Sequence, residues 1–456
     1  MSESLSVDQK RALALFQQGH NLFLTGPAGT GKSYLIDQFV ADALERRKVI
    51  QICATTGVAA VLLGKQARTI HSWSGIKLCR DPVAVTAKRV AKEKKYVENW
   101  QNTNILVIDE VSMMSAHVFD TLHFTGQQVR KNVSKPWGGL QIVLVGDMFQ
   151  LPPVSGSGED AKPCFQSAHW FDTIPLAHHI ELTTPFRQSN PVYVALLNQV
   201  REGSLDEDMA ALLQERVRPP PADLLLTRLY PRRNQVDYTN KQAFDQLQEP
   251  VHEIPVFSTT QLRYFVESGK PITSFHVQNK VRDKDQEIET LKNHAQVEPL
   301  CLRTGAMVMC TVNLDKEAGI VNGSQGTIVS WTETQKVRVL DGYQDMRLPR
   351  VQFSQGPLIT MQPKVWQSVN DPKIAIAQLP LTLCWALTIH KSQGATLDAA
   401  LMDVGANVFE YGQAYVALSR VKSLEGLYLT QFEPQRIRAH PDVVAFYRRI
   451  RQSVSL

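Results

Sequence analysis

Residues 26–33 read Gly26-Pro27-Ala28-Gly29-Thr30-Gly31-Lys32-Ser33, with the apolar run 21–25 (NLFLT) just before and the helix-compatible stretch 34–44 just after. A G-x-x-x-x-G-K-[ST] loop carries weight only between a strand and a helix, and that is its setting here. Its glycines let backbone N–H groups close around phosphate oxygens, and the helix that follows adds the positive end of its dipole. Lys32 then reaches the β- and γ-phosphates, and the Ser33 hydroxyl meets Mg²⁺. Such a loop calls for an open, mostly parallel sheet, which places its ligand at the carboxyl ends of strands.

Four more apolar runs suit the same sheet: 49–54 (VIQICA), 104–109 (NILVID), 141–145 (QIVLV) and 179–182 (HIEL). Runs of this kind, rich in Ile, Leu and Val, fit strands covered on both faces in a three-layer α/β domain. A second α/β pattern starts near 223–229 (DLLLTRL), after the proline run 219–221, and resumes at 374–389 and 427–429. Between them, 302–345 alternates short β-prone runs with turns at Gly323, Gly326 and Gly342, the texture of a small inserted β-barrel. Residues 278–294 read as a polar helix.

With 456 residues, 43% of them hydrophobic, the chain has material for about two to four domains. A net charge of +5 excludes a polybasic coat or tail protein while permitting local basic surfaces. The six cysteines (Cys53, Cys79, Cys164, Cys301, Cys310, Cys384) form no C-x-x-C pair, so reduced thiols are expected, not a zinc ribbon or disulfide framework. No apolar run approaches membrane-spanning length, and MSESLSVDQK resembles neither a secretory nor a transit peptide. The expectation is a cytoplasmic protein, in a bacterial nucleoid or its equivalent, with no membrane partner.

The run 105–110 (ILVIDE) ends in two carboxylates. Asp109 is placed to hold the metal through its shell and Glu110 to act as general base toward water. Gln150, in 145–154 (VGDMFQLPPV), has the chemistry to sense a γ-phosphate. Arg187 (PFRQ) and Arg420 (ALSR) are candidate arginine fingers, a surface ion pair being the alternative for each. Together these residues point to a nucleoside-triphosphate hydrolase.

An ordered series of motifs runs nearly the length of the chain. It begins with Gln9 in LSVDQKRAL, then the phosphate loop, 54–60 (ATTGVAA), 69–72 (TIHS) with Gly75-Ile76, and 106–113 (LVIDEVSM). It goes on through 146–154, 186–188 (FRQ), 228–231 (RLYP), 321–326 (VNGSQG), 385–394 (WALTIHKSQG) and 412–420 (GQAYVALSR). The series resembles superfamily 1 DNA helicases. Residues 120–122 (DTL), 128–130 (QVR) and 136–141 (PWGGLQ) narrow the resemblance to the PIF (petite integration frequency) family, in the branch shared with RecD-like helicases.

That resemblance implies an α/β fold of two RecA-like parallel-sheet motor domains with ATP between them. Domain 1A would span 1–187, with 77–103 as a 1B insertion. Domain 2A would comprise 188–300 and 374–456, and 301–373 an SH3-like barrel, 2B. It implies ATP and Mg²⁺ as cofactors, with Ser33 and Asp109 on the metal. Gln9, the loop residues, Gly394 and Gln413 would be at the nucleotide. It also implies 5′-to-3′ movement on single-stranded DNA by a monomer, and unwinding of forked duplex, DNA–RNA hybrid and G-quadruplex. Replication, repair, recombination and telomere maintenance are the implied settings.

The DNA track expected from the same motifs comprises Thr55, Thr56, Gly57, Thr69, His71 and Ser72 in the first domain. In the second it comprises Thr388, His390, Lys391 and Ser392. Hydroxyls, backbone N–H groups and Lys grip phosphates without reading bases. Trp73 stacks on a base or packs under the inserted loop; Asn322 and Ser324 touch DNA or only build a turn. Residues 77–98 carry seven basic residues (Lys77, Arg80, Lys88, Arg89, Lys92, Lys94, Lys95) against three acidic ones, either a fork-facing surface or a solvated amphipathic face. Arg436, Arg438, Arg448, Arg449 and Arg451 read as a solvated helix. Asp285, Glu287, Glu289 and Lys292 suggest nuclease chemistry only superficially and fit a polar helix. The segment 64–68 (GKQAR) is longer than the family's usual Gly-Gly turn. Two other readings stay open: an ATPase that remodels protein–DNA complexes without separating strands, and a nucleotide-binding loading module without activity.

Overall fold

In the computed structural model five of the apolar runs become parallel strands, because residues without polar alternation bury both faces. The first sheet comprises β1 (Leu22–Thr25), β2 (Ile50–Ala54), β3 (Arg68–Thr69), β4 (Ile105–Asp109), β5 (Gln141–Val145) and β6 (His179–Glu181). Their order is β3-β2-β4-β5-β1-β6, all parallel. Only β3 has no apolar run to announce it; pairing with β2 makes it a strand. The structure describes residues 5–64, 67–77, 79, 81–153, 161–188, 190–221, 224, 226–263, 283–295, 297–315, 318, 320–354, 356–368 and 371–454. Arg80, among the basic residues above, and Val154 lie outside them.

The chain forms two units, Met1–Val217 with Val404–Ser419 and Gln431–Leu456, and Arg218–Asp403 with Arg420–Thr430. The first boundary lies just ahead of the proline run 219–221. Residues 188–217, 404–419 and 431–456 fall in the first unit, unlike the expected assignment to domain 2A. Their side chains complete the first unit's core and its ion pairs.

One face of the first sheet is covered by α1 (Val7–Gln17) and α2 (Lys32–Glu45), whose Ala12, Phe16, Leu35, Ile36 and Phe39 pack on Leu22 and Leu24. A capping box starts α1, Ser6 accepting from the Gln9 N–H and Gln9 from the Ser6 N–H. The rest of the unit contains α3 (Gly57–Leu63), α4 (Ile70–Ser74), α5 (Val83–Val90), α6 (Lys94–Asn102), α7 (Ala116–Arg130), α8 (Pro191–Glu202), α9 (Gln413–Leu418) and α10 (Pro441–Val454). Trp137 is buried on the second core, 6.5 Å from the Trp100 ring and 5.4 Å from Phe119. Arg130 donates to the carbonyls of Trp100, Thr103 and Gly138, and a Cβ on Gly126 would stand 2.7 Å from the Trp137 oxygen. The PWGG segment therefore clamps the basic insertion to α7.

Burial decides between the two readings of Trp73. Trp73 is 1% exposed and packs 4.7 Å from Trp100, so the base-stacking alternative fails. The C-terminal arginines Arg438, Arg448, Arg449 and Arg451 are exposed, as expected, while Val443, Phe446, Tyr447 and Ile450 on the other face of α10 enter the second core. Arg451 pairs with Glu181 and Glu202.

In the second unit, β7 (Thr227–Tyr230) pairs in parallel with β8 (Ala386–Thr388) and β9 (Ala400–Val404), and β10 (Leu427–Phe432) completes the sheet in the order β8-β7-β9-β10. Five antiparallel strands form the small β-rich part: Leu358–Thr360, Pro349–Phe353, Gln325–Trp331, Met307–Cys310 and Leu381–Leu383. Gly323 turns at φ +96°, but Gly326 lies inside a strand, where a Cβ would stand 2.7 Å from the Gln352 oxygen. It is therefore a close-approach glycine and not the expected turn. The polar helix spans Lys284–Ala295, buries Ile288, and pairs Glu289 with Lys292; residues 278–282 of the expected helix lie outside the described residues.

His179 is 2% exposed and accepts from Trp170 Nε1 at 2.9 Å; burial first, against opposing backbone hydrogen bonds, pushes its imidazole down to about 4. An unfolded histidine titrates near 6.5, so this group stabilises the fold above that pH and the contribution is lost as pH falls toward 4. About 2 kcal/mol should disappear between pH 7.5 and pH 5. Urea unfolding of the parent and His179→Gln at both pH values checks it: the variant should show a correspondingly smaller loss.

Candidate nucleotide and nucleic-acid site

At the end of β1 the chain turns on Gly26, Gly29 and Gly31, with φ of +137°, +83° and +85°. These angles are costly for any residue with a Cβ. Gly31 is the N-cap of α2, so the helix's unpaired amides open toward the loop. Lys32 Nζ donates to the Gly26 and Pro27 oxygens at 2.7 and 2.9 Å, and Thr30 Oγ1 to the Pro27 oxygen at 2.9 Å. Ala28 donates its N–H to Tyr415 Oη at 2.9 Å. Burial lowers the Lys32 ammonium from its ordinary range, while Asp147 and then Glu110 pull it back. Ser33 is exposed in the first turn of α2.

The 186–188 segment lies against this loop. Phe186 donates its N–H to the Gly29 oxygen at 2.7 Å, and a Cβ on Gly29 would stand 2.5 Å from Arg187 Cβ. Arg187 thus shares a unit with the phosphate loop. Burial lowers its guanidinium against the pull of Tyr415 and Glu110. Gln9 is 3% exposed; its Oε1 serves the capping box, and its Nε2 would be 2.7 Å from a Cβ on Gly31. Phe186 gains a role that motif order does not assign. Its ring, 52% exposed, flanks Gly31 as an open apolar face beside the loop.

β4 delivers Asp109 and Glu110. Burial, then the neighbouring Glu110 charge, raises the Asp109 carboxyl to about 7, against the Glu110 N–H it accepts at 2.8 Å. A carboxylate so placed is one that a divalent cation relieves, and it and the Ser33 hydroxyl are both oxygen donors of the kind Mg²⁺ takes. The residues fit the ion. Glu110 sits at φ +55°, sparsely populated for a residue with a side chain and common at functional turns. β5 delivers Asp147 and, three residues on, Gln150, which is 7% exposed and donates its N–H to the Asp147 oxygen.

The first unit's DNA candidates leave the same carboxyl edge. Thr55 follows β2 and donates its hydroxyl to the Glu110 oxygen at 2.8 Å and its N–H to the Asp109 oxygen at 3.2 Å. Thr56 Oγ1 accepts the Ala59 N–H just as α3 begins at Gly57. Thr69 ends β3 and caps α4 by accepting the Ser72 N–H at 3.3 Å, which leaves His71 and Ser72 half-buried on the first turn.

In the second unit Thr388 ends β8, and its Oγ1 accepts the Lys391 N–H at 3.1 Å. Lys391 is exposed and His390 half-buried. Ser392 is fully buried, its hydroxyl on the Ile389 oxygen, so its side chain shapes the turn. Gly394 is exposed at φ +81°. Arg420 is 2% exposed and donates to the Ser392 and Ala395 carbonyls. Gln413, in the first unit, is fully buried with Oε1 accepting from the Phe409 and Glu410 N–H groups; it braces the turn before α9.

Motif spacing points to neither Arg201 nor Tyr447, and gives Tyr415 within 412–420 no role of its own; all three bond Asp147, from 54, 300 and 268 residues away. A lone Arg in an apolar helix stretch, LLNQVREG, is the one signal that a buried partner exists.

Residues 4–209 match the family described as PIF1-like helicase, and residues 289–331 match the DNA helicase Pif1 2B domain. The ATP-dependent DNA helicase PIF1 of Danio rerio is 35% identical over 99% of this chain, which spans 65% of that relative's length. The ATP-dependent DNA helicase Pif1 of Bdellovibrio bacteriovorus is 33% identical over 97% of this chain and 92% of its own. Among solved structures, the Pif1 helicase from Candida albicans superposes with a TM-score of 0.75 at 30% identity, covering 98% of this chain and 99% of that one. The Pif1 helicase from Bacteroides in complex with ADP-AlF3 and ssDNA gives a TM-score of 0.64 at 26% identity, with 99% and 98% covered.

Gly29→Ala would force a Cβ toward Arg187 at a left-handed angle, a strain of about 1–2 kcal/mol. Affinity for a fluorescent ADP analogue should fall about tenfold with the circular dichroism spectrum unchanged. Parental affinity would show that the loop tolerates the side chain.

Proposed function

The chain belongs to the Pif1 family of DNA helicases, and on that footing we propose that it is an ATP-driven motor moving 5′ to 3′ on single-stranded DNA. Its substrates are forked duplexes and DNA–RNA hybrids, with G-quadruplex DNA as a further one, and it acts as a monomer. The observation that carries this reading is a shared sheet edge. The phosphate loop, the Asp109–Glu110 pair, Asp147–Gln150 and the Thr55–Thr56 and Thr69–Ser72 segments all follow carboxyl ends of one parallel sheet. Thr55, a DNA candidate, is hydrogen-bonded to the backbone of both hydrolytic carboxylates, so a shift at one is felt at the other.

Each residue then has a task. Residues 29–33 present amides to the phosphates, and Lys32 carries charge to the β- and γ-phosphates. Mg²⁺, held by Ser33 and Asp109, would supply neutralising charge on the phosphate oxygens. Glu110 takes the proton of the attacking water, Gln150 responds to the γ-phosphate, and Arg187 stabilises the charge that develops. The resemblance gives Arg420 the same role as Arg187. Gln9 and the Phe186 face border the base end of the nucleotide. Thr55, Thr56, Gly57, Thr69, His71 and Ser72 hold DNA phosphates on one unit, and Thr388, His390 and Lys391 on the other.

Strand separation on duplexes with either a 5′ or a 3′ single-stranded tail tests the activity. ATP-dependent unwinding is expected for the 5′-tailed duplex; unwinding of the 3′-tailed one alone reverses the polarity. Hydrolysis without unwinding of either would favour a remodelling ATPase. Lys32→Ala should abolish DNA-stimulated hydrolysis and keep part of the DNA binding.

Lys391→Ala should weaken single-strand binding and make its dependence on salt shallower by about one counterion, as loss of a phosphate contact requires. Titrations between low and moderate salt read this slope. A slope equal to the parent's would remove Lys391 from the phosphate track.

A further inference from the structure

Asp147 is fully buried, and five donors converge on its carboxylate. Arg201 binds it in two places, Nε to Oδ2 at 2.9 Å and Nη2 to Oδ1 at 2.8 Å. Tyr447 Oη and the Phe149 N–H reach Oδ1 at 3.2 and 3.3 Å, and Tyr415 Oη reaches Oδ2 at 3.2 Å. The Arg201 guanidinium is held in turn by Glu181 Oε1 at 3.0 Å and by the Phe149 and Tyr447 rings, at 4.6 and 4.9 Å. Burying an ion pair this deeply is often no more stabilising than filling the space with apolar side chains. Its gain is orientation, a carboxylate fixed in one direction.

That direction reaches the phosphate loop through one hydroxyl. Tyr415 Oη accepts the Ala28 N–H at 2.9 Å, so its single proton is left to donate to Asp147. The helix that carries Tyr415 is pinned at both ends. Tyr193 Oη donates to the Leu418 oxygen at 2.7 Å, and Gly412 is pressed so closely that a Cβ would stand 2.3 Å from the Phe149 oxygen. Ala28 immediately precedes the amides of residues 29–33, so anchoring it sets where they point. Asp147 is also the leading charge that offsets the effect of burial on Lys32.

We propose that Tyr415 is a positioning residue for nucleotide binding: oriented by the Asp147–Arg201 pair, its hydroxyl holds Ala28 so that the loop is pre-aligned for phosphate. This rests on the nucleotide-hydrolysing reading above and assigns Tyr415 no contact with the nucleotide itself. Tyr415→Phe removes one oxygen and leaves Asp147 four of its donors, so the fold is kept. The loop then pays for its own ordering when nucleotide binds.

The test uses the full chain, with single-strand-stimulated ATP hydrolysis and the affinity of a fluorescent ADP analogue as readouts. Tyr415→Phe should raise the KM for ATP and the Kd for ADP about fivefold, as loss of one buried hydrogen bond implies, with kcat within about twofold. Tyr193→Phe removes a buried hydroxyl bond from the same helix. It should lower the thermal midpoint and leave both nucleotide constants within about twofold of the parent. A parental KM and Kd in Tyr415→Phe overturns the inference, as does an equal shift in Tyr193→Phe, which would make the effect one of helix stability. A parent that neither binds ADP nor hydrolyses ATP sinks the nucleotide reading and this inference with it. An active parent with an unaffected Tyr415→Phe sinks the inference alone.

Discussion

A strand buried on both faces has no place for a polar side chain except at its ends, and the first unit is organised by that constraint. Every strand of the β3-β2-β4-β5-β1-β6 sheet runs the same way, so all the carboxyl ends meet on one edge. There β1 releases the phosphate loop, β4 Asp109 and Glu110, β5 Asp147, β2 Thr55 and β3 Thr69. β4 lies between β2 and the β5–β1 pair, so the carboxylates stand between the DNA candidates and the phosphate loop. No separate device is needed to bring hydrolysis and backbone-gripping groups to one side; parallel pairing does it.

The edge is held by long-range packing. Tyr447 and Arg451 of α10 reach back to the strands, Tyr447 bonding Thr25 and Asp147, and Arg451 bonding Glu181. Below them an aromatic series runs from Trp73 through Trp100, Trp137 and Phe119 to Trp170 and Phe446. Truncating side chains of this size costs about 3–5 kcal/mol, enough to threaten a domain of ordinary stability. The PWGG segment takes part as packing: its Trp is buried, and its glycine at 138 lets α7 approach.

Much of this is legible in the amino-acid sequence. Five strand runs and the phosphate loop follow from local rules: unbroken apolar residues, glycines where φ is positive, and a helix start at Lys32. The short strand β3 was not legible, because Arg68 and Thr69 have no strand-forming pattern and take their conformation from β2. Gly326 reads as a turn in the sequence because a glycine needed for close approach looks, in one dimension, like a glycine needed for φ. The C-terminal arginines read correctly as a solvated face, but how deeply the apolar stripe opposite them is covered was not legible, because such a helix reads alike whether the stripe is shallowly or fully covered.

The sequence by itself determined the local chemistry of this protein: a loop that can wrap phosphate, a strand ending in two carboxylates, and hydroxyl-rich turns suited to a nucleic-acid backbone. Each depends on residues a few positions apart, within reach of backbone geometry. Only the tertiary structure decided that α9 and α10 complete the first unit, that Trp73 packs in the core, and that Ser392 shapes a turn. It alone paired Asp147 with Arg201, Tyr415 and Tyr447 across 54 to 300 residues. Those partners are selected by what fits beside a buried carboxylate once the strands have stacked, a condition that exists only in three dimensions.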